Sequence, residues 1–116
     1  MVGLVVVSHI EKLAEGVVEL VRLMAANAPI AAAGGLEDGT PGTSFGKIAS
    51  AVERVNSGSG VAILMDMGSA VMTAEMVLES VNDPQIRLID CPIAEGAVVA
   101  AMESVAGSSQ IGRAHV

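Results

Sequence analysis

Val5-Val6-Val7-Ser8-His9-Ile10-Glu11-Lys12-Leu13 decides how the rest of the chain is read. An apolar stretch, Val2–Val7, runs almost directly into a segment whose helical apolar spacing resumes at Leu13. A short uninterrupted apolar run of this kind reads as a strand buried on both faces, as in a parallel sheet. The junction holds one histidine, His9. In parallel α/β sheets, chemistry collects at the carboxyl ends of strands, beside the first turn of the next helix. An imidazole there is half exposed, lies near free backbone N–H groups and is close to neutral at physiological pH, which suits a nucleophile.

Outward from this junction the pattern repeats without a constant period. Val2–Val7 leads to a helix over Glu11–Ala26, with Leu13, Val17, Leu20 and Leu23 or Met24 expected on its buried face. Pro29 precedes a second strand, Ile30–Ala33, closed by Gly34-Gly35. The loop Leu36–Gly42 carries the turn pairs Asp38-Gly39 and Pro41-Gly42, and Thr43 or Ser44 caps a helix reaching about Asn56. Gly58-Ser59-Gly60 precedes a third strand, Val61–Met65, and Ser69 opens a helix to about Val81. After the break Asn82-Asp83-Pro84, a fourth strand at Ile86–Ile89 leads through Cys91-Pro92 to a last helix near Ala94–Ala106. Strands and helices in alternation with short links predict one α/β domain, residues 1–107, with a parallel sheet, helices on both faces and right-handed crossovers. Residues 108–116, including His115, read as a polar tail, either a frayed end or a remnant of expression.

Composition narrows the function. The chain has 116 residues, 52% of them hydrophobic, and a net charge of −7 with scattered Lys and Arg, which argues against nucleic acid and for a basic-faced protein partner. Phe45 is the one aromatic residue, so there is no stacking platform for bases or sugars. Cys91 has no second cysteine to pair with, and no Cys/His spacing fits zinc; a small residue near a strand end is its ordinary reading. No apolar run is long enough to span a membrane, and Met1-Val2 lacks the basic start of a signal peptide, so a cytoplasmic protein is expected. Met65, Met67, Met72 and Met76 are expected to fill the core rather than bind metal, and neither a metal nor another cofactor is expected.

If the strands are parallel, their carboxyl ends bring Ser8-His9, Gly34 through Ser44, Asp66-Met67-Gly68-Ser69 and Asp90-Cys91 to one rim. Asp66 can then orient His9 and stabilise positive charge as the ring attacks. Thr43 and Ser69, at helix starts, offer hydroxyls and N–H groups to an anion, and Gly42 and Gly68 permit close backbone approach. Helix capping by Asp66, Thr43 and Ser69 is the plain alternative, and the glycines can serve turns alone. Gly42-Thr43-Ser44-Phe45-Gly46-Lys47-Ile48 is not a P-loop, because the glycine spacing is one residue short and no hydroxyl residue follows the lysine. No dinucleotide fingerprint or nucleophile elbow is present either. A nucleophilic nitrogen, a carboxylate and anion-binding helix starts fit phosphoryl transfer through histidine.

Val6-Val7-Ser8-His9 with Leu13-Ala14-Glu15-Gly16, Gly42-Thr43-Ser44, Met65-Asp66-Met67-Gly68-Ser69-Ala70 and Thr73-Ala74-Glu75 together carry a resemblance. So does Asp90-Cys91-Pro92-Ile93-Ala94-Glu95-Gly96. Over Val2 to about Ala106 the sequence resembles the DhaM family, phosphotransfer subunits of phosphoenolpyruvate-dependent dihydroxyacetone kinase, and through it the mannose-type enzyme IIA domains of the sugar phosphotransferase system. The resemblance implies a four-stranded sheet of order 2-1-3-4, a homodimer, and His9 as the residue phosphorylated by the carrier HPr. It implies Asp66 as the neighbouring carboxylate, with Thr43 and Ser69 surrounding that histidine; Gly68, read above as open to close approach, completes the expected phosphoryl-binding set. The acceptor it implies is ADP on the nucleotide subunit, with dihydroxyacetone held by a third subunit. Ile10 departs from the serine that many of these proteins carry after the histidine, which bears on partner and substrate more than on chemistry. The sequence shows no HPr-like or enzyme I-like segment, so a separate carrier is expected. A regulatory module switched by phosphorylation of His9, without turnover, is the alternative reading, and a small-molecule hydrolase or isomerase at the same rim is a third.

Overall fold

The computed structural model describes residues 1–107. The predicted tail, 108–116, lies outside the described residues. Eight elements alternate: β1 (Gly3–Ser8), α1 (Glu11–Met24), β2 (Ile30–Gly34), α2 (Phe45–Val55), β3 (Val61–Met65), α3 (Ala70–Val81), β4 (Ile86–Ile89) and α4 (Ile93–Val105). All strand pairs are parallel, in the order β2-β1-β3-β4. This is the sheet that the alternation and the resemblance led one to expect.

The pleat of β1 explains the layering. Successive side chains point to opposite faces of a strand, so a central strand with helices on both sides must be apolar throughout. Leu4 and Val6 join the layer under α1 and α4, while Val5 and Val7 join the layer under α2 and α3. All four are fully buried. The first helix turns a different face inward from the one expected. Ala14, Val17, Val18 and Val21 are buried, whereas Leu13 and Leu20 are half exposed and Leu23 is 80% exposed. Two apolar stripes run along this helix, and the one with smaller side chains meets the sheet because it allows closer packing. Methionine placement also differs from expectation. Met67, Met72 and Met76 are exposed, and only Met65 packs partly against the α2/α3 layer.

The β2 margin has its own chemistry. Leu4 N–H donates to Pro29 O at 2.8 Å and Gly35 N–H donates to Ser8 O at 3.1 Å, so the odd-numbered residues of β2 face β1. Backbone groups of the even-numbered residues point outward. Arg22 donates to Ile30 O at 3.4 Å, and the Lys47 ammonium donates to Gly34 O at 2.6 Å. Lys47 also binds Glu11 at 2.9 Å, which ties the start of α1 to α2 across the end of β2. None of the described helices is long and apolar enough to cross a membrane.

Candidate active site

Register brings the site together. Ser8 lies opposite Gly34, and Val7 opposite Met65, so the chain leaves β1, β2 and β3 at one level. Asp66 follows β3 directly, and its N–H donates to Val7 O at 3.1 Å. Gly34 must lack a side chain at this crossing, because a Cβ would stand 2.7 Å from Glu11 Cα and 2.8 Å from Ile10 O. Gly42 is held with φ +145°, a conformation that favours glycine, and its N–H donates to His9 O at 2.9 Å.

At this rim Asp66 grips the β1–α1 junction at three points. Its Oδ1 lies 3.2 Å from His9 Nδ1, while Oδ2 accepts from Ser8 Oγ at 2.7 Å and from His9 N–H at 3.2 Å. The other ring nitrogen, His9 Nε2, lies 2.8 Å from Ser69 Oγ. The imidazole is 23% exposed and the carboxylate 9%. Burial pushes the Asp66 carboxyl up, but hydrogen bonds from the Ser8 hydroxyl and from the His9 ring and backbone outweigh it and hold the group below its ordinary value. An ionised carboxylate only accepts, so His9 Nδ1 carries the proton, and in the neutral ring the lone pair lies on Nε2. Nε2, beside Ser69, is then the ring atom chemically able to act as a nucleophile.

Ser69 does not cap α3: its hydroxyl bonds no backbone N–H of the helix and turns to the imidazole instead. Ser44, rather than Thr43, caps α2 by accepting from Lys47 N–H at 3.1 Å. Thr43 meets Thr73 one turn into α3, hydroxyl to hydroxyl, at 2.9 Å. One of those two protons lies between the oxygens and the other remains to be donated. Gly68 lies in the turn before α3, and a Cβ there would meet nothing within 4 Å. Glycine at this position is not demanded by packing. Among the described residues, no cluster of three or more His, Cys, Asp or Glu side chains could hold a metal.

The family model for EIIA-man, the fructose IIA component of the phosphotransferase system, matches residues 3–111. The chain belongs to the EIIA-man family.

Curated relatives of this EIIA-man chain carry a common name. The phosphotransferase subunit DhaM of a PTS-dependent dihydroxyacetone kinase from Lactococcus lactis is 36% identical over 107 residues, covering 92% of this chain and 85% of the relative. A phosphoryl donor subunit DhaM from Listeria innocua, of PEP-dependent dihydroxyacetone kinase 1, is 39% identical, covering 87% and 80% respectively. The Escherichia coli phosphoryl donor subunit DhaM is also 39% identical, but the match covers 93% of this chain and only 24% of that longer protein. A crystal structure of the unknown-function protein EF1359 superposes with TM-score 0.79 and 26% identity, covering 95% of this chain and 86% of the other.

Sequence reasoning placed Ser8 at the rim and Thr73 in a motif but assigned neither the Ser8–Asp66 nor the Thr43–Thr73 contact. Ser8 is fully buried, and a hydroxyl at the end of an otherwise apolar strand is the signal that marks it. The lowered Asp66 value fixes a pH dependence. A carboxyl whose pKa falls on folding contributes stability that is fully present above its unfolded value, near 3.8, and is lost as pH falls through the lower folded value. Thermal melts from neutral pH into acid should therefore show a shallower loss below 3.8 in Asp66→Asn than in the parent chain. Parallel curves would mean that the carboxylate gains nothing on folding.

Proposed function

We propose that this EIIA-man chain is the phosphotransfer subunit of a phosphoenolpyruvate-dependent dihydroxyacetone kinase. It takes a phosphoryl group from phospho-HPr onto His9 and gives it to ADP bound on the nucleotide subunit. The observation that carries this reading is the clamped imidazole, with Nδ1 on Asp66 and Nε2 turned outward beside Ser69. The DhaM names of relatives that the chain nearly spans support the assignment to this kinase system.

In the first half-reaction the Nε2 lone pair forms a bond to phosphorus as the donor's N–P bond breaks. Positive charge develops on the imidazole while Nδ1–H stays directed at Asp66, whose negative charge opposes it. Ser69 gives up Nε2 and donates to a phosphoryl oxygen, and the free proton of the Thr43–Thr73 pair serves another. In the second half-reaction the Nε2–P bond breaks toward an oxygen of ADP, and His9 returns to its neutral Nδ1–H form. Positioning and charge account for the catalysis, as in phosphoryl transfer generally. On this reading the chain works in the cytoplasm beside its carrier.

Incubation with phosphoenolpyruvate, enzyme I and HPr, followed by intact mass and site mapping, tests the first step. One phosphoryl group at His9 is the expected result, and no addition with a working carrier would refute it. The acceptor step is read by adding the ADP-loaded nucleotide subunit, which should discharge the phosphoprotein rapidly. Ile10, 44% exposed next to the nucleophile, favours one second reading, a phosphorylation-switched binding module. A phosphoprotein that resists discharge but changes its affinity for a partner would establish that alternative.

The reading includes a homodimer. Leu20 on α1 and Ala94, Val98 and Val99 on α4 line a nearly apolar cleft of about 410 Å³. Leu23, Met24, Met102 and Val105 extend the exposed apolar surface along the same two helices. A second copy of the chain covers such a face by two-fold symmetry. Leu23→Glu is expected to halve the mass measured by sedimentation while leaving His9 phosphorylatable. An unchanged mass would remove this face from the interface.

A further inference from the structure

We propose that Ser8 is a positioning residue for His9, acting through Asp66 to decide which ring nitrogen holds the proton. The proposal deepens the transfer reading and rests on it for the rate effect alone. Ser8 ends β1 with no exposed surface. Its hydroxyl oxygen accepts the Ile10 N–H at 3.0 Å. A backbone N–H cannot accept in return, so the hydroxyl proton has one remaining partner, Asp66 Oδ2 at 2.7 Å. The direction of that bond is fixed by the fold.

Asp66 Oδ2 thus receives two donors, the Ser8 hydroxyl and the His9 backbone N–H. Together they stop the carboxylate from turning about its Cβ–Cγ bond and present Oδ1 to His9 Nδ1. They also favour the ionised carboxylate, which can only accept. Without the Ser8 proton, Oδ2 keeps only the longer backbone contact. The carboxylate can then rotate, and its hold on the Nδ1 proton weakens. A serine kept merely to fill the strand end would leave the imidazole unaffected.

The test uses the full chain as parent, Ser8→Ala and Ser8→Thr, with His9 ring-nitrogen NMR signals assigned against His9→Ala. The parent and Ser8→Thr should hold the Nδ1–H tautomer. Ser8→Ala should show a mixture with Nε2–H, and phosphorylation by HPr should slow roughly tenfold, the scale of one hydrogen bond to a charged group. If Ser8→Ala fails to fold, Ser8→Cys, nearly isosteric but a weak donor, gives the same comparison. A folded Ser8→Ala or Ser8→Cys with the parent's tautomer ratio overturns the proposal. A shifted tautomer in a chain that HPr never phosphorylates leaves the positioning role standing and sinks the transfer reading instead.

Discussion

His9→Ala is expected to abolish phosphorylation by phosphoenolpyruvate, enzyme I and HPr while leaving the circular dichroism spectrum and melting behaviour close to those of the parent. The proposed reaction passes wholly through Nε2, so removing it should leave no residual route. The fold loses little, because the imidazole is partly exposed and Asp66 retains its bonds from Ser8 and the His9 backbone. Two partly exposed hydrogen bonds are lost, Nδ1 to Asp66 and Nε2 to Ser69, at about 1 kcal/mol each. Intact mass spectrometry reads the result directly. Stoichiometric labelling of the alanine variant would move the phosphorylation site elsewhere, since His115 is the only other histidine.

Asp66→Asn should be almost as damaging to transfer, for a reason visible in the donors around it. The Ser8 hydroxyl and the His9 N–H both aim at Oδ2. An asparagine satisfies them by placing its carbonyl oxygen there, which turns its NH₂ toward Nδ1. Nδ1 must then accept, and the ring proton moves to Nε2, where it blocks the nucleophile. The shape of the site survives with the wrong tautomer in it. A fall of about two to four orders of magnitude in transfer rate is expected. Single-turnover phosphorylation from phospho-HPr measures it, and an unchanged rate would remove the carboxylate from the chemistry.

Much of this site was legible before any coordinates. His9 lies at a strand-to-helix junction, and Asp66 directly follows an apolar run; parallel topology requires such positions to meet. Ser8 was harder to read because its partner lies 58 residues away, and nothing local distinguishes a buried, committed hydroxyl from a solvated one. Ser69 and Thr43 read equally well as caps, since the same residue types serve both purposes. Only geometry shows Ser69 turned to the ring and Ser44 taking the capping bond. The α1 face was misread because hydropathy ranks Leu above Ala, whereas close approach to a sheet selects Ala and Val. Of the bulky leucines left outside, Leu20 and Leu23 belong to the face proposed above for a second copy. The exposed methionines show the same limit, because composition does not say which apolar surface a fold keeps for itself.

Arg22 and Lys47 occupy outward carbonyls of β2. At the opposite margin, among the described residues, no side chain makes a hydrogen bond to the backbone of β4. Head-to-tail stacking, in which β4 of one molecule joins β2 of the next, must accommodate these two cations, which weighs against it. Two side chains thus weigh against open-ended strand addition at the β2 margin of an acidic, apolar-rich α/β protein, and neutralising both is expected to weaken that protection.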